Sequence, residues 1–331
     1  MKELKLIDRF NRNLNYLRVS ITDRCNLRCM YCSPPRSHIP RLSHADILSY
    51  EEILHIINIG VELGINKVRI TGGEPLARKG IYHFLEQLNK IKGISDISLT
   101  TNGVLLKDNI EKIKNAGIKR LNISLDTLNQ ERFKLITGFD YFKQVWEGIQ
   151  KAYELGFHPI KINTVAMKGV NDDELADIGK ISLSYPFHMR FIEYMPIGDT
   201  HLDKERQIMA YEIMELLSGI GELVPVYHDQ NDGPAERYKF ANARGEIGII
   251  RPLSHHFCST CNRLRLTASG HLRPCLLSDR QEDIKTPLRN RASDRELVDV
   301  FLKAVNFKPM QHHLDQVDSE TVKDSMSSIG G

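Results

Sequence analysis

Along residues 1–195 the hydrophobic pattern switches repeatedly between two periods. Short runs rich in β-branched and aliphatic residues occur at 16–22 (YLRVSIT), 67–71 (KVRIT), 97–101 (ISLTT), 120–125 (RLNISL), 160–165 (IKINTV) and 188–193 (HMRFIE). Runs of this length and composition read as strands. Between them the apolar positions fall at helical spacing, as at Ile53, Ile56, Ile57 and Leu63. Helices are predicted there, near 81–91, near 109–116, over 141–155 and after Asn171. Ser49 with Glu52, and Asn171 with Glu174, have the spacing of a capping box, and Gly64 suits a helix C-terminus. Six strand–helix alternations predict an α/β chain with a parallel sheet, arranged as a partial (β/α)6 TIM-like barrel. In such a fold the chemistry gathers at the carboxyl ends of the strands. Pro34, Pro35 and Pro40 keep the stretch after the first strand irregular.

After Pro196 the rhythm changes. A helix is predicted over 208–217, then short strands near 223–227, 238–240 and 247–250, separated by Gly233-Pro234 and Arg244-Gly245. A boundary within 195–206 follows, giving a barrel domain of residues 1–200 and a smaller C-terminal domain of 201–331. Residues 282–304 read as one or two helices with a charged, solvated face. The tail beyond Phe307 is polar and reads as flexible up to Gly330-Gly331.

Composition narrows the picture. With 331 residues and 41% hydrophobic content the chain can bury a large core without disulfide staples. A net charge of +3 is too small to imply nucleic acid as a bulk partner. No apolar run approaches a membrane span, and residues 1–10 carry no signal-peptide core, so a cytoplasmic protein is expected.

The six cysteines form two triplets: Cys25, Cys29, Cys32 and Cys258, Cys261, Cys275. Without secretion, metal ligation is the better reading than disulfides. Soft thiolates suit iron–sulfur clusters or zinc. The odd number matters, because a closed structural zinc site takes four protein ligands. A [4Fe-4S] cluster on three cysteines leaves one iron open for a substrate or cofactor. For the second triplet, a Cys3His zinc site completed by His255 or His256 remains an alternative. Gly72-Gly73 at a strand end permits close approach of backbone to a ligand. Arg263 and Arg265, two apart on a strand-like run, face one side and can clamp an anion. Arg18, alone within the first strand, could equally be a solvated charge.

The C-x3-C-x2-C loop with an aromatic before its last cysteine resembles the radical S-adenosylmethionine (SAM) superfamily. TDRCNLRCMYC, TGGEP, LTTNG, LNISLD, CSTCNRLRLT, LRPCL and the terminal Gly-Gly together resemble the GTP 3′,8-cyclase (MoaA) family of molybdenum cofactor biosynthesis, over essentially the whole chain. Ser33 stands where relatives often carry Met. The resemblance implies two [4Fe-4S] clusters, on Cys25, Cys29 and Cys32 and on Cys258, Cys261 and Cys275. It implies SAM beside Tyr31, Gly73, Ser124 and Met195. GTP would be held by Arg18, Arg69, Thr100, Lys161, Arg263, Leu264 and Arg265. Arg263, Arg265 and the Gly330-Gly331 tail would assist catalysis. It further implies a homodimer, an electron donor the sequence does not identify, and a product handed to cyclic pyranopterin monophosphate synthase. Two readings compete with it. One is another radical SAM enzyme with an auxiliary cluster, acting on a peptide, which would need a peptide-binding extension. The other is a zinc-dependent nucleic-acid module, which would need a basic stripe with interleaved aromatics; neither feature stands out.

Overall fold

The computed structural model describes residues 4–32, 41–198, 202–227, 233–312 and 322–330. Ser33, Pro34, Pro35, Pro40 and Gly331 lie outside these residues.

The six expected strands are β1 (Tyr16–Ser20), β2 (Lys67–Thr71), β3 (Asp96–Thr101), β4 (Arg120–Ser124), β5 (Ile160–Ala166) and β6 (His188–Glu193). They lie side by side in chain order, all parallel. This is the partial (β/α)6 barrel. The chain beyond residue 201 adds β7 (Leu223–Pro225), β8 (Glu236–Phe240), β9 (Glu246–Ile250), β10 (Arg263–Leu266), β11 (His271–Arg273) and β12 (Glu282–Asp283). Rather than forming a sheet of their own, they extend both edges of the first. β9 pairs in parallel with β6, and β10 in parallel with β1. β8 and β7 then continue one edge antiparallel, and β11 and β12 the other.

Helices α1 (Tyr50–Glu62), α2 (Ile81–Asn89), α3 (Leu106–Asn115), α4 (Gln130–Thr137), α5 (Phe142–Glu154) and α6 (Leu175–Ser184) connect the barrel strands. One face of the sheet explains their packing. Leu17, Val19, Val68, Ile70, Leu121, Ile123, Leu264 and Leu266 are fully buried in one apolar core with α1–α3 and α5. The alternate residues of the same strands are polar, so period-two alternation divides an oily helix side from a charged interior.

The Ser49–Glu52 capping box forms as expected, Ser49 Oγ accepting from the Glu52 amide at 3.1 Å and Glu52 accepting from Ser49 at 2.7 Å. The Asn171–Glu174 box does not form. Asn171 Oδ1 instead accepts from Met167 N at 2.8 Å, while its Nδ2 donates to Asp126 O and Val165 O. Glu174 accepts from Thr127 Oγ1 and Leu128 N, both at 2.7 Å. Tertiary partners have taken both side chains, and α6 starts only at Leu175. α4, unforeseen, is capped by Asn129, whose Oδ1 accepts from Arg132 N at 2.9 Å.

Three further helices follow: α7 (Ala210–Ser218), α8 (Lys285–Arg289) and α9 (Asp294–Asn306). The end of the tail departs from the flexible segment expected. Residues 322–330 include α10 (Met326–Ile329), and Val322 and Ile329 are buried against Ile197. Among the described residues no helix is long and apolar enough to cross a membrane.

Candidate active site

One cleft at the polar face of the sheet is lined by all six cysteines. β1 leads directly into the first triplet, and β10 follows Cys261 directly, so the pairing of β1 with β10 brings the two triplets to one cavity. All six thiols are free.

The first cluster loop is fixed by its neighbours. Arg28 N donates to Thr137 O at 2.8 Å and Met30 N to Ile136 O at 2.9 Å, tying the loop to the end of α4. Leu27 N approaches Cys25 Sγ at 3.4 Å, and Asn102 Nδ2 reaches it at 3.6 Å. Burial pushes the thiols up, Cys32 to about 12 and Cys29 well above its ordinary value. Buried neutral thiols of this kind ionise only when a metal supplies the compensating charge. Three of them, free and directed at one cavity, fit a cluster held on three sides.

Gly73 N donates to Thr22 O at 2.7 Å and Glu74 N to Arg24 O at 2.8 Å, so the GGEP turn is stitched beneath the cysteine loop. A Cβ on Gly73 would lie 2.4 Å from Arg24 O, which is backbone and cannot swing away. Gly73→Ala is therefore expected to cost about 1–3 kcal/mol of stability by overpacking. Urea unfolding checks this, and an unchanged midpoint would contradict it. Glu74 is wholly buried and accepts from Leu76 N, Thr101 Oγ1 and Asn102 N at 2.7–2.9 Å. Burial raises its carboxyl to about 7 against the pull of those three donors. It ties the ends of β2 and β3 to each other.

Tyr31 OH donates to Asp126 Oδ2 at 2.8 Å, and Asp126 Oδ1 accepts from Val165 N at 2.9 Å. Tyr31, Gly73, Ser124 and Met195 all line the same cleft.

The second triplet has a different setting. Burial works against ionisation of Cys261, but Arg263 and Lys308 bring its thiol down to about 6. Lys308 Nζ donates to Arg263 O at 2.9 Å and Pro274 O at 2.7 Å, bracing the segments that follow Cys261 and precede Cys275. Arg12 Nη1 donates to Cys258 O at 2.6 Å. Glu193 accepts from Ala210 N, Leu253 N and Ser254 N at 2.8–3.0 Å, anchoring the approach to the triplet on β6. His255 and His256, the candidate zinc ligands, do not line the cleft, whereas His312 does. Among the described residues no three His, Cys, Asp or Glu groups converge on a single metal ion. A cluster is wider than an ion and accepts thiolates set further apart.

Between the triplets the wall is basic. Register places Arg265, Arg18, Arg69 and Ser98 abreast on β10, β1, β2 and β3. Nine Lys and Arg side chains line the cleft, and among the described residues lining it there is no Asp or Glu. Burial first, then Arg190 and Arg120, bring Lys161 down to about 6. Burial, Arg265 and Arg69 similarly hold Arg18 well below the usual guanidinium range. Such crowding is relieved by a polyanion. Thr100 Oγ1 is buried with no partner among the described residues and faces the same cavity. Arg265 Nη1 donates to Gly330 O at 2.7 Å, bringing the tail against the basic wall.

Of the sequence-predicted residues, Arg18, Arg69, Thr100, Lys161, Arg263 and Arg265 therefore meet in one place. Leu264 alternates with Arg263 and Arg265, so its side chain is fully buried in the core on the opposite face of the sheet. Only its backbone remains near the cleft. Asp126, Glu193, Arg12 and Lys308 were missed, because their partners are remote in sequence.

Two family models match the chain: the radical SAM superfamily over residues 19–180 and Molybdenum Cofactor Synthesis C over 187–314. The GTP 3′,8-cyclase of Thermodesulfovibrio yellowstonii is 50% identical over 98% of this chain and 99% of its own length. The GTP 3′,8-cyclase of Desulforamulus reducens is 47% identical over 98% and 100%. Among solved structures, Streptococcus suis SuiB bound to S-adenosylmethionine overlays with a TM-score of 0.65 at 15% identity, covering 96% of this chain and 78% of that one. That likeness speaks for the fold alone. The chain thus belongs to the radical SAM superfamily and, within it, to the GTP 3′,8-cyclase family.

Proposed function

We propose that this chain converts GTP to (8S)-3′,8-cyclo-7,8-dihydroguanosine 5′-triphosphate, the first step of molybdenum cofactor biosynthesis. The observation that carries this reading is one cleft lined by both cysteine triplets and by nine Lys and Arg side chains, with no Asp or Glu among the described residues lining it. Cys25, Cys29 and Cys32 would hold the SAM-cleaving [4Fe-4S] cluster, and Cys258, Cys261 and Cys275 would hold a second one able to anchor the guanine base. When bound, the first cluster and SAM supply the 5′-deoxyadenosyl radical that removes hydrogen from C3′ of the ribose.

The protein's own work is binding, orientation and exclusion of water. Tyr31, Gly73, Ser124 and Met195 seat SAM, with Asp126 fixing the Tyr31 ring through its hydroxyl. Arg18, Arg69, Thr100, Lys161, Arg263 and Arg265 hold the nucleotide, charge-assisted bonds contributing about 1.5–3 kcal/mol each. With base and triphosphate both anchored, C3′ has little freedom, which is what near-attack geometry demands. Gly330 reaches the site through its carbonyl, which accepts from Arg265. Residues 1–200 form the SAM-cleaving half and 201–331 the substrate-holding half. We infer a cytoplasmic homodimer that receives its electron from an external donor and passes its product to cyclic pyranopterin monophosphate synthase. Six free thiols agree with a reducing compartment.

Anaerobic turnover with reconstituted protein, dithionite, SAM and either GTP or ATP tests the reading. The cyclised nucleotide is expected with GTP alone. Equal 5′-deoxyadenosine from both nucleotides, with no cyclised product, would overturn the substrate assignment.

A further inference from the structure

A four-residue helix such as α10 cannot hold itself in water. Something else must bring Gly330 to Arg265. The described tail is fastened at its other end. Gly198 N donates to Val322 O at 2.8 Å. Next along, Lys323 N donates to Asp279 Oδ2 at 3.0 Å. Asp324 Oδ2 accepts from Arg273 Nη1, and Asp279 Oδ1 accepts from Arg273 Nη2 at 2.9 Å.

Arg273 is the centre of this clasp. Its side chain has no exposed surface, while those of Asp279 and Asp324 are 38% and 44% exposed. A guanidinium so deeply buried demands anionic partners, and the fork geometry suits two carboxylates at once. Asp279 belongs to the chain just after Cys275 and Asp324 to the tail. Arg273 itself lies two residues before Cys275. Leu276 and Leu277 pack against the same small apolar cluster as Val322 and Ile329. The cysteine segment and the tail thus share both an ion-pair node and an apolar contact.

We propose that Arg273 is a positioning residue that makes docking of the tail depend on the segment carrying Cys275. The tail reaches Arg265 only when that segment is in place, so the cleft is completed from both sides together. The inference rests on the proposed cyclase reading only in assigning the tail a part in turnover.

Arg273→Met would bury a mismatch next to a cluster ligand and could simply unfold the chain. Asp324→Ala is the better variant, because Asp324 is half exposed and Arg273 keeps Asp279. Hydrogen exchange of the 322–330 amides, read without nucleotide, is expected to accelerate at least about 10-fold, in line with loss of a charge-assisted bond. In turnover, the ratio of cyclised product to 5′-deoxyadenosine is expected to fall roughly 10-fold or more, SAM cleavage continuing. Asp324→Asn, which keeps the volume but not the charge, should lie between wild type and Asp324→Ala on both scales. Unchanged tail exchange in Asp324→Ala would overturn the clasp. Faster exchange with an unchanged product ratio would overturn its part in turnover. A wild-type protein that cyclised no GTP would overturn the reaction assignment, leaving the clasp judged by exchange alone.

Discussion

Cys29→Ala is expected to leave the chain folded, to lower its iron from about eight to about four per chain, and to bring 5′-deoxyadenosine below detection. On the proposed assignment three thiols would be the whole protein ligand set of the first cluster, and no other thiol outside the second triplet exists in the sequence to replace one. Cys29 is fastened into its loop by backbone, its carbonyl accepting from Cys32 N at 3.0 Å, and that bond survives the substitution. The apolar core beneath the sheet contains none of the cysteines, so its packing is untouched. Without the cluster nothing else in the cleft can open a C3′–H bond, because no acid or base there is strong enough. The second triplet is held by a separate set of braces, Arg12 and Lys308, and should keep its own iron. Iron and sulfide analysis, with spectra of the dithionite-reduced protein, checks the count. A Cys29→Ala protein that still formed 5′-deoxyadenosine would contradict the assignment.

Arg265→Met is expected to cost activity far more than stability. Arg265 is buried, and burial followed by Arg263 brings its guanidinium down to about 10. Removing one of several crowded cations relieves repulsion and offsets the lost bond to Gly330 O, so the stability of the protein without nucleotide should change little. Turnover should suffer, since Arg265 holds the tail at Gly330 and, on the proposed reading, the nucleotide as well. Losing the bond to Gly330 O and one nucleotide contact, each about 1.5–3 kcal/mol, lowers kcat/KM by roughly 10²- to 10⁴-fold. Arg265→Lys keeps the charge but not the fork and should recover only part of the loss. Thermal melts beside steady-state kinetics separate the two effects. Parallel loss of stability and activity would mark Arg265 as an ordinary structural residue.

The barrel was legible because its signals are local. Alternation within KVRIT or RLNISL, and the Ser49–Glu52 box, are set within a few residues. So were the cysteine triplets, whose spacing is a chemical statement by itself. What stayed hidden depends on which segments meet. Nothing local says that β9 and β10 extend opposite edges of the barrel sheet. Yet that pairing puts Arg265 beside Arg18, and the two triplets in one cleft. The same blindness explains Asn171 and Glu174, whose spacing promised a cap and whose side chains found better partners 45 and 47 positions away in Asp126 and Thr127. Arg273, 51 residues from Asp324, read as one more charged residue. Period two, which groups Arg263 with Arg265, turns the Leu264 side chain to the core instead.

The most direct measurement uses GTP deuterated at C3′, with SAM and reductant under anaerobic conditions. If the cleft holds C3′ against the adenosyl carbon, the 5′-deoxyadenosine formed carries the deuterium and the cyclised nucleotide has lost it. Unlabelled 5′-deoxyadenosine beside fully labelled nucleotide would contradict the assigned reaction.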